Sequence, residues 1–467
     1  MISQLQFAPG TFLRTLMRAE ARVLERGVYA ASALGAVSAL FLFAASPFAR
    51  AAESRNVTLQ LTRTNGAAQV SWTARSAVPV PGRQVVPDFQ LERSADLTNW
   101  SALGARITGN THNQTVKALD ATGGDTAFYR VKSSVNRPFA DFIADNLTGG
   151  AFAFADFFGA QFFNARLDEA DLTGADLRGT DLRFATLSGA RLDGASLFGA
   201  DLLFAVLDAA LIEHADVSFA NLEAADLFGA SLFGSDLRSS ILNEADLRFV
   251  TFHETLLDAQ TVLPPKWVKV WQLVNDQATN TAFTNLDLSL ADLRSANLSG
   301  LNFAGSDFSA SDLGGADARG ANFTNANLRF VTWQSAELDA NTIIEGKSRL
   351  TWELVNQGGA GRDLHGTNLS NMMLARADLR SVNLTNANLN LAVFDFANLG
   401  GANLRAATLT SVSFFGATLT NAILNSANLS FADLTQANLF GATTNGAIFT
   451  GATFSQTIMP DGSVRNP

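Results

Sequence analysis

Four histidines, 43 acidic residues and no cysteine are the groups with which this 467-residue chain could do chemistry. The histidines, His112, His214, His253 and His365, are scattered along the sequence. His253-Glu254 opens like an H-E-x-x-H zinc motif, but the second histidine would have to stand where Leu257 is. Without cysteine, disulfides, thiolate metal sites and redox pairs are excluded. There is no G-x-x-x-x-G-K-[ST] phosphate loop, no G-x-S-x-G elbow and no G-G-x-G-x-D calcium array. Acid–base catalysis needs titratable groups held in different environments. The acids here recur in one repeated setting, so the sequence predicts no enzyme, no metal and no cofactor.

That setting is a five-residue period. Phe142, Leu147, Phe152, Phe157, Phe162, Leu167 and Leu172 begin a run in which every fifth residue is apolar, continuing to Leu257 and Val262. Two residues before most of them stands a small residue, such as Ala155, Ala160, Ala165 and Ala170. Five residues turn an α-helix by about 500°, so these side chains would form no stripe on one. On a continuous strand they would point to alternate faces. The period fits a short extended piece followed by a turn, with the apolar residue i and the small residue i−2 sharing an inward face. Where several bulky side chains meet around a narrow axis, only a small residue fits at i−2, and a larger one would overpack. Ala318 and Thr444 replace the central apolar residue, and local weakening is expected there.

"ADLTG" (170–174), "ADLRG" (175–179), "ADLFG" (225–229) and "ANLRA" (402–406) resemble the A-(D/N)-L-x-x consensus of the pentapeptide-repeat family. The resemblance covers roughly residues 142–455. It implies an all-β fold, a right-handed quadrilateral parallel β-helix with four repeats in each 20-residue coil. It also implies that i−1, i+1 and i+2 face solvent.

The register breaks twice. "LDAQTVLPPKWVKVWQLVND" (257–276) and "LDANTIIEGKSRLTWELVNQ" (338–357) are copies offset by 81 residues, one more than four coils. Trp267, Val270, Trp271 and Val274 fall at helical spacing after Pro264-Pro265. Each copy is read as a loop and a short amphipathic helix on the side of the β-helix. The helix either covers the solenoid or, through Trp267, Trp271 and Trp352, docks a partner. The repeat blocks are then 140–262, 283–343 and 364–455, the two helical inserts 263–282 and 344–363, and the C-terminal tail 456–467.

Ahead of the repeats the texture differs. Arg14, Arg18, Arg22 and Arg26 precede an uncharged stretch from Val28 to Ala45, then Ala49-Arg50-Ala51. That is the order of a secretory signal, with an uncleaved membrane anchor as the rival for residues 1–51. Residues 54–137 alternate apolar and polar side chains in short runs between turn signals, the pattern of a small β-sandwich. "FQLERSADLTNWSAL" with "FYRVKSS" resembles a fibronectin-type-III module. This module holds ten Arg and Lys against five acids. Trp72 and Trp100 could line a glycan site, or pack within the module.

Charge and aromatic residues then frame function. Residues 140–262 hold 20 acids against six arginines, with i−1 often Asp, while in the third block i−1 is mostly Asn, as at Asn368, Asn383, Asn388 and Asn398. The candidate interaction surface comprises Phe158, Phe163, Phe198, Phe228 and Phe233 at i+1, and Asp171, Asp176, Asp181 and Asp201 at i−1. The net charge of −10 argues against nucleic acid as a partner. The expected function is an exported, extracytoplasmic, non-catalytic scaffold for protein interaction, with a homodimer among the arrangements it allows and membrane contact only through an uncleaved N-terminal segment. The alternatives are an acidic DNA mimic that occupies topoisomerases and a glycan-binding surface protein using the β module.

Overall fold

The computed structural model describes the backbone of eight strands between residues 57 and 134, and then residues 139–275 and 283–466. The N-terminal 51 residues and the side chains of Trp72 and Trp100 lie outside the described residues. The described residues fall into two compact units, one ending at Pro264 and the other starting at Pro265.

In the first unit the strands β1 (Val57–Thr64), β2 (Ala67–Ala74), β3 (Pro79–Val80), β4 (Arg83–Gln84), β5 (Asp88–Ser94), β6 (Ser101–Ala102), β7 (Gln114–Asp120) and β8 (Phe128–Ser134) come first. They pair antiparallel in two three-stranded sheets, β1-β2-β7 and β6-β5-β8, with β3 and β4 as a separate hairpin. In β1, Leu59 and Leu61 stand opposite Trp72 and Val70 of β2, so the alternation read in the sequence is carried in register across the pair.

From Phe139 onward the chain is a parallel β-helix. Residues 20 apart bridge one another along each side, as in Asp141–Gln161–Asp181–Asp201–Asn221 and Asp156–Asp176–Ser196–Asp216–Asp236. One unit shows the bonding. The Asp201 N–H donates to the Thr180 carbonyl below (2.9 Å), the Leu182 N–H donates to the Asp201 carbonyl (2.7 Å), and the Ala185 N–H closes the turn on the Leu182 carbonyl (3.1 Å). Backbone groups are thereby satisfied at each five-residue step, which a buried axis requires.

The axis is filled by i and i−2. Phe157, Phe162, Leu172, Leu177, Ala160 and Ala165 are all essentially inaccessible. Phe142 stacks on Phe162 and meets Phe157 edge-on, so consecutive sides and consecutive coils interlock. Ala318 is fully buried although it supplies no bulk. The same coil stack carries Trp333, whose large ring meets Phe323 edge-on.

The turns carry a feature that the spacing did not disclose. The residue two after nearly every central one adopts a left-handed conformation, with φ of 57° at Phe184 and 59° at Phe396. For a non-glycine residue this costs about 1–2 kcal/mol, so burial and ladder bonds must offset it at many corners. The aromatic cases are laid over the next coil. Phe154 covers Gly174 and Phe396 covers Gly416, and a Cβ on either glycine would sit within 2.7 Å of the ring. These glycines are needed both for φ and for the space.

The break between blocks differs from the expected register. Val262 and Ile343, read as central residues, are exposed and occupy the bridging position i−1. Ile241 bridges Val262 and Asn322 bridges Ile343, each 21 residues away rather than 20. The additional residue is taken up in a loop at Asp258 and Asp339. Burial pushes the Asp258 carboxyl up, but bonds from the Ser239 and Thr261 N–H groups and hydroxyls outweigh it and hold it at about 2. Asp339 is likewise held at about 2, first by the Gly320 N–H, against the opposing effect of burial, and then by Thr342 and Asn341.

In the second unit, α1 (Pro265–Val274) buries Trp267, Val270, Leu273 and Val274. Its Lys266 reaches Asp287 and Ser289 at 3.0 Å each. The helix α2 (Gly346–Asn356) buries Ser348, Thr351 and Leu354, and its Lys347 reaches Ser370 at 3.2 Å, the counterpart of Ser289. Leu354 belongs to the same apolar core as Leu364, Leu369 and Leu379, so α2 stands in line with the coils rather than on their flank. Laddering resumes at Gly359 and not at 364, since the Gly359 N–H donates to the Asp378 carbonyl (2.8 Å). The segment 456–467, read as a tail, forms the hairpin of β9 (Thr457–Ile458) and β10 (Val464–Arg465), and Ile458 bridges Asn438. No helix among the described residues is long and apolar enough to cross a membrane.

Candidate interaction faces

The repeated acids have a local task first. At i−1 the carboxylate accepts the N–H of i+1 across the turn: Thr173 to Asp171 (3.2 Å), Ser218 to Asp216 (3.1 Å), Leu203 to Asp201 (3.2 Å). Such side-chain bonds hold a turn that the backbone alone leaves open. Where i+1 is Arg, the same carboxylate also takes its guanidinium. Asp176 accepts Arg178 Nε at 2.8 Å and Nη2 at 2.6 Å, and Asp181 accepts Arg183 at 2.9 and 2.7 Å. The arginine bond holds the carboxyls of Asp176 and Asp181 below the usual carboxylate range, against a smaller opposing effect of burial. All six arginines of the first block lie against an aspartate of their own repeat. An acidic surplus of 14 remains, from 20 acids against those six arginines. Asp201 is the one candidate acid that bridges coils, accepting from Asn221 Nδ2 at 3.1 Å with Arg183 at 3.6 Å.

The candidate phenylalanines are less exposed than their i+1 position suggested. Phe163, Phe228 and Phe233 are half-buried, because each meets a ring on the following or preceding coil. Phe163 lies edge-on to Phe184 (5.6 Å), Phe228 to Phe249 (5.6 Å) and Phe233 to His214 (5.3 Å). Arginines cap several of them, Arg178 over Phe158, Arg183 over Phe163 and Arg248 over Phe228, at cation–π distance. The rings that do face solvent include ones at i+2: Phe184 at 45%, Phe204 at 49% and Phe219 at 59%, beside Phe158 at 39% and Phe198 at 45%. Sequence reasoning missed Phe184, Phe204 and Phe219 because it looked for outward rings only at i+1. The left-handed corner throws the i+2 side chain outward, and the spacing alone carried no signal of it.

These rings form two rails. Phe163, Phe184 and Phe204 climb one corner, the last two stacked at 5.2 Å, and Phe198 and Phe219 climb the corner before it at 5.1 Å. Between them runs the Asp181–Asp201–Asn221 ladder. Phe158 shares the second corner, against Phe139. Phe228 and Phe233, by their place in the coil, belong to the other two corners, so the candidate phenylalanines do not make one patch. Asp171 likewise lies on another side, bridged to Ala151 and Arg191.

The candidate tryptophans Trp267, Trp271 and Trp352 make contacts within the fold. Trp267 is buried under Lys266. Trp352 donates its Nε1–H to the Ala336 carbonyl at 2.7 Å. In the coil beneath, the corresponding carbonyl, Ala316, takes the Glu337 backbone N–H. Asn356, one turn on, accepts the Ser335 N–H at 2.6 Å and donates to the Trp333 carbonyl at 2.8 Å. Two helical side chains thus stand in for the coil that would have followed. Trp271 on α1 and Asn275 just past its end hold the equivalent positions, with Asn275 Nδ2 bonded to the Trp271 carbonyl (3.0 Å) as Asn356 is to Trp352. His214, His253 and His365 are not gathered, and among the described residues no cluster of His, Asp and Glu could hold a metal ion.

The profile described as "Pentapeptide repeats" matches in eight copies, over 155–194, 277–309, 302–332, 361–390, 387–426 and 427–461. The matches leave 54–137 untouched, so the fibronectin-type-III likeness draws no support from them. Among solved structures, the chain is similar to HetL, a pentapeptide repeat protein involved in heterocyst differentiation regulation from the cyanobacterium Nostoc. That likeness has 25% identity over 65% of this chain and 92% of HetL, with a TM-score of 0.17. A pentapeptide repeat protein of the Arabidopsis thaliana thylakoid lumen matches at 27% identity over 25% of this chain and 79% of its own, with a TM-score of 0.21. Full-length QnrB1, a plasmid-mediated fluoroquinolone resistance protein, matches at 17% identity over 44% of this chain and 94% of its own, with a TM-score of 0.18. TM-scores this low carry no argument beyond the repeats themselves. No curated protein matches.

Proposed function

We propose that this chain, a pentapeptide-repeat protein and so one of a group of right-handed β-helices that generally serve as structural or interaction scaffolds, is a non-catalytic exported scaffold that binds a protein partner through its first repeat block. The observation that carries the reading is the pair of aromatic rails, with Phe184, Phe204 and Phe219 each 45% or more exposed on a backbone that is laddered at every coil. Contiguous exposed rings on a rigid wall are what an interface uses and what solubility alone disfavours. The acidic surplus favours a partner with cationic groups beside apolar ones. Export is supported by the order of the N-terminal residues, basic, apolar, then small.

The rival reading, a DNA mimic, draws on the same surplus of acid. Cell fractionation separates the two, since a mature chain starting near Ala52 outside the cytoplasm removes the rival. Partner capture with the full chain tests the interface. Proteins retained by the wild type and lost by Phe204→Ser/Phe219→Ser, at unchanged melting temperature, support it. Equal retention by both sinks the rails as the binding surface, and topoisomerase inhibition by the purified chain would favour the mimic.

A further inference from the structure

The railed side of the first block is also where the chain enters it. Strand β8 ends at Ser134, and the first laddered residue is Phe139, whose N–H donates to the Phe158 carbonyl at 2.8 Å. Five residue steps span at most about 17 Å. The module of 54–137 is therefore tethered at the corner holding Phe139, Phe158, Phe198 and Phe219. From that corner the chain runs directly into Asp141, the first rung of the Asp181–Asp201 side.

Charge points the same way. The module carries ten basic residues against five acids, and the block 20 acids against six arginines. With so short a tether the effective concentration of one for the other is of millimolar order, and opposite charges within a Debye length of about 10 Å attract. A basic body held beside an acidic side edged with exposed rings has both the attraction and the apolar contact needed to settle there.

We propose that the basic β module of the chain docks on the aromatic-railed, acidic side of its own first repeat block. The inference rests on the functional reading only for which side is the interface. It makes the chain itself the first occupant of that side, so an external partner binds by displacing the module.

The test is carbodiimide cross-linking of the full chain, mapped by mass spectrometry. The module has just two lysines, Lys117 and Lys132, so its cross-links are identifiable. The Lys266–Asp287 pair, at 3.0 Å, is the internal control and must appear in the same sample. Expected are links from Lys117 or Lys132 to Asp141, Asp181 or Asp201, found in the monomer band and reduced at least fivefold by 0.5 M salt. Phe184→Ser/Phe204→Ser should reduce them similarly; if that variant melts early, Asp201→Lys serves instead. With the control present, absence of these links overturns the proposal. So does their even spread over all four sides, or their confinement to a dimer band, which would assign the contact to a second copy. If partner capture fails while the links persist, the interaction function falls and the self-docking stands.

Discussion

The first and third repeat blocks share a backbone and differ in what they hang on it. In the first, Asp216 accepts the Ser218 N–H at 3.1 Å, and in the third, Asn428 accepts the Ser430 N–H at 3.0 Å. The hydroxyls of the same serines bond the same oxygens, at 2.5 and 2.6 Å. An amide thus caps the turn as well as a carboxylate does. The negative charge of the first block is therefore not demanded by the fold, and it is free to serve the surface.

The sharpest way to break this comparison is in the axis, where the blocks should behave alike. Leu207→Ala and Leu404→Ala each remove a fully buried side chain and should each cost about 2–5 kcal/mol by denaturant unfolding. A large disparity would show that the cores are not equivalent.

Next comes the junction at α2. Trp352→Phe removes the donor to Ala336, and Asn356→Ala the partners of Ser335 and Trp333. Each should cost about 1–3 kcal/mol and raise amide exchange in 316–337 more than in 420–440. Uniform exchange would contradict the edge-sealing role.

A third probe uses an acid buried more deeply than any in the first block. Asp395 is 5% exposed at an outward position, and burial pushes its carboxyl up to about 6 despite a short bond from the Ser413 hydroxyl. A carboxyl raised in the folded state binds its proton more tightly there than in the unfolded chain. Stability should then fall as pH rises from about 4 through 6. Asp395→Asn should stabilise the protein by about 1–3 kcal/mol at pH 7 and by nothing measurable at pH 4. A pH-independent effect would mean that the carboxyl is not neutral in the acid range as described.

The smallest effect sharpens the comparison most. Asp176→Asn converts a first-block repeat to the third-block type, and its arginine pair is half-exposed. Melting should change by less than about 1 kcal/mol, while salt-sensitive association through that block weakens. A large loss of stability would make the charge structural after all.

Much of this was legible because a five-residue period repeats one physical constraint many times. The alternation of Leu or Phe with Ala two residues earlier located the axis, and the 81-residue offset located the two junctions. What escaped has specific causes. Val262 and Ile343 looked central because both are apolar, and apolarity cannot show that Asp258 and Asp339 absorb a residue just before them. The bond from Trp352 to a carbonyl 16 residues earlier is a tertiary fact that helical spacing could not show. Phe184 and Phe204 went unselected because the spacing gives no sign of φ.

The helix α2 has one further consequence. A stack of nearest-neighbour units transmits disorder as readily as order, so a defect in one rung can run the length of the column. Side chains that seal the final rung should act as a firebreak: fraying that starts beyond Gly359 meets an edge at Ala336 whose bonds the helix supplies, with the Phe330–Asn371 backbone bond as the remaining link. Heated or pulled, such a column should come apart in instalments, with its joints chosen by a tryptophan and an asparagine four residues apart.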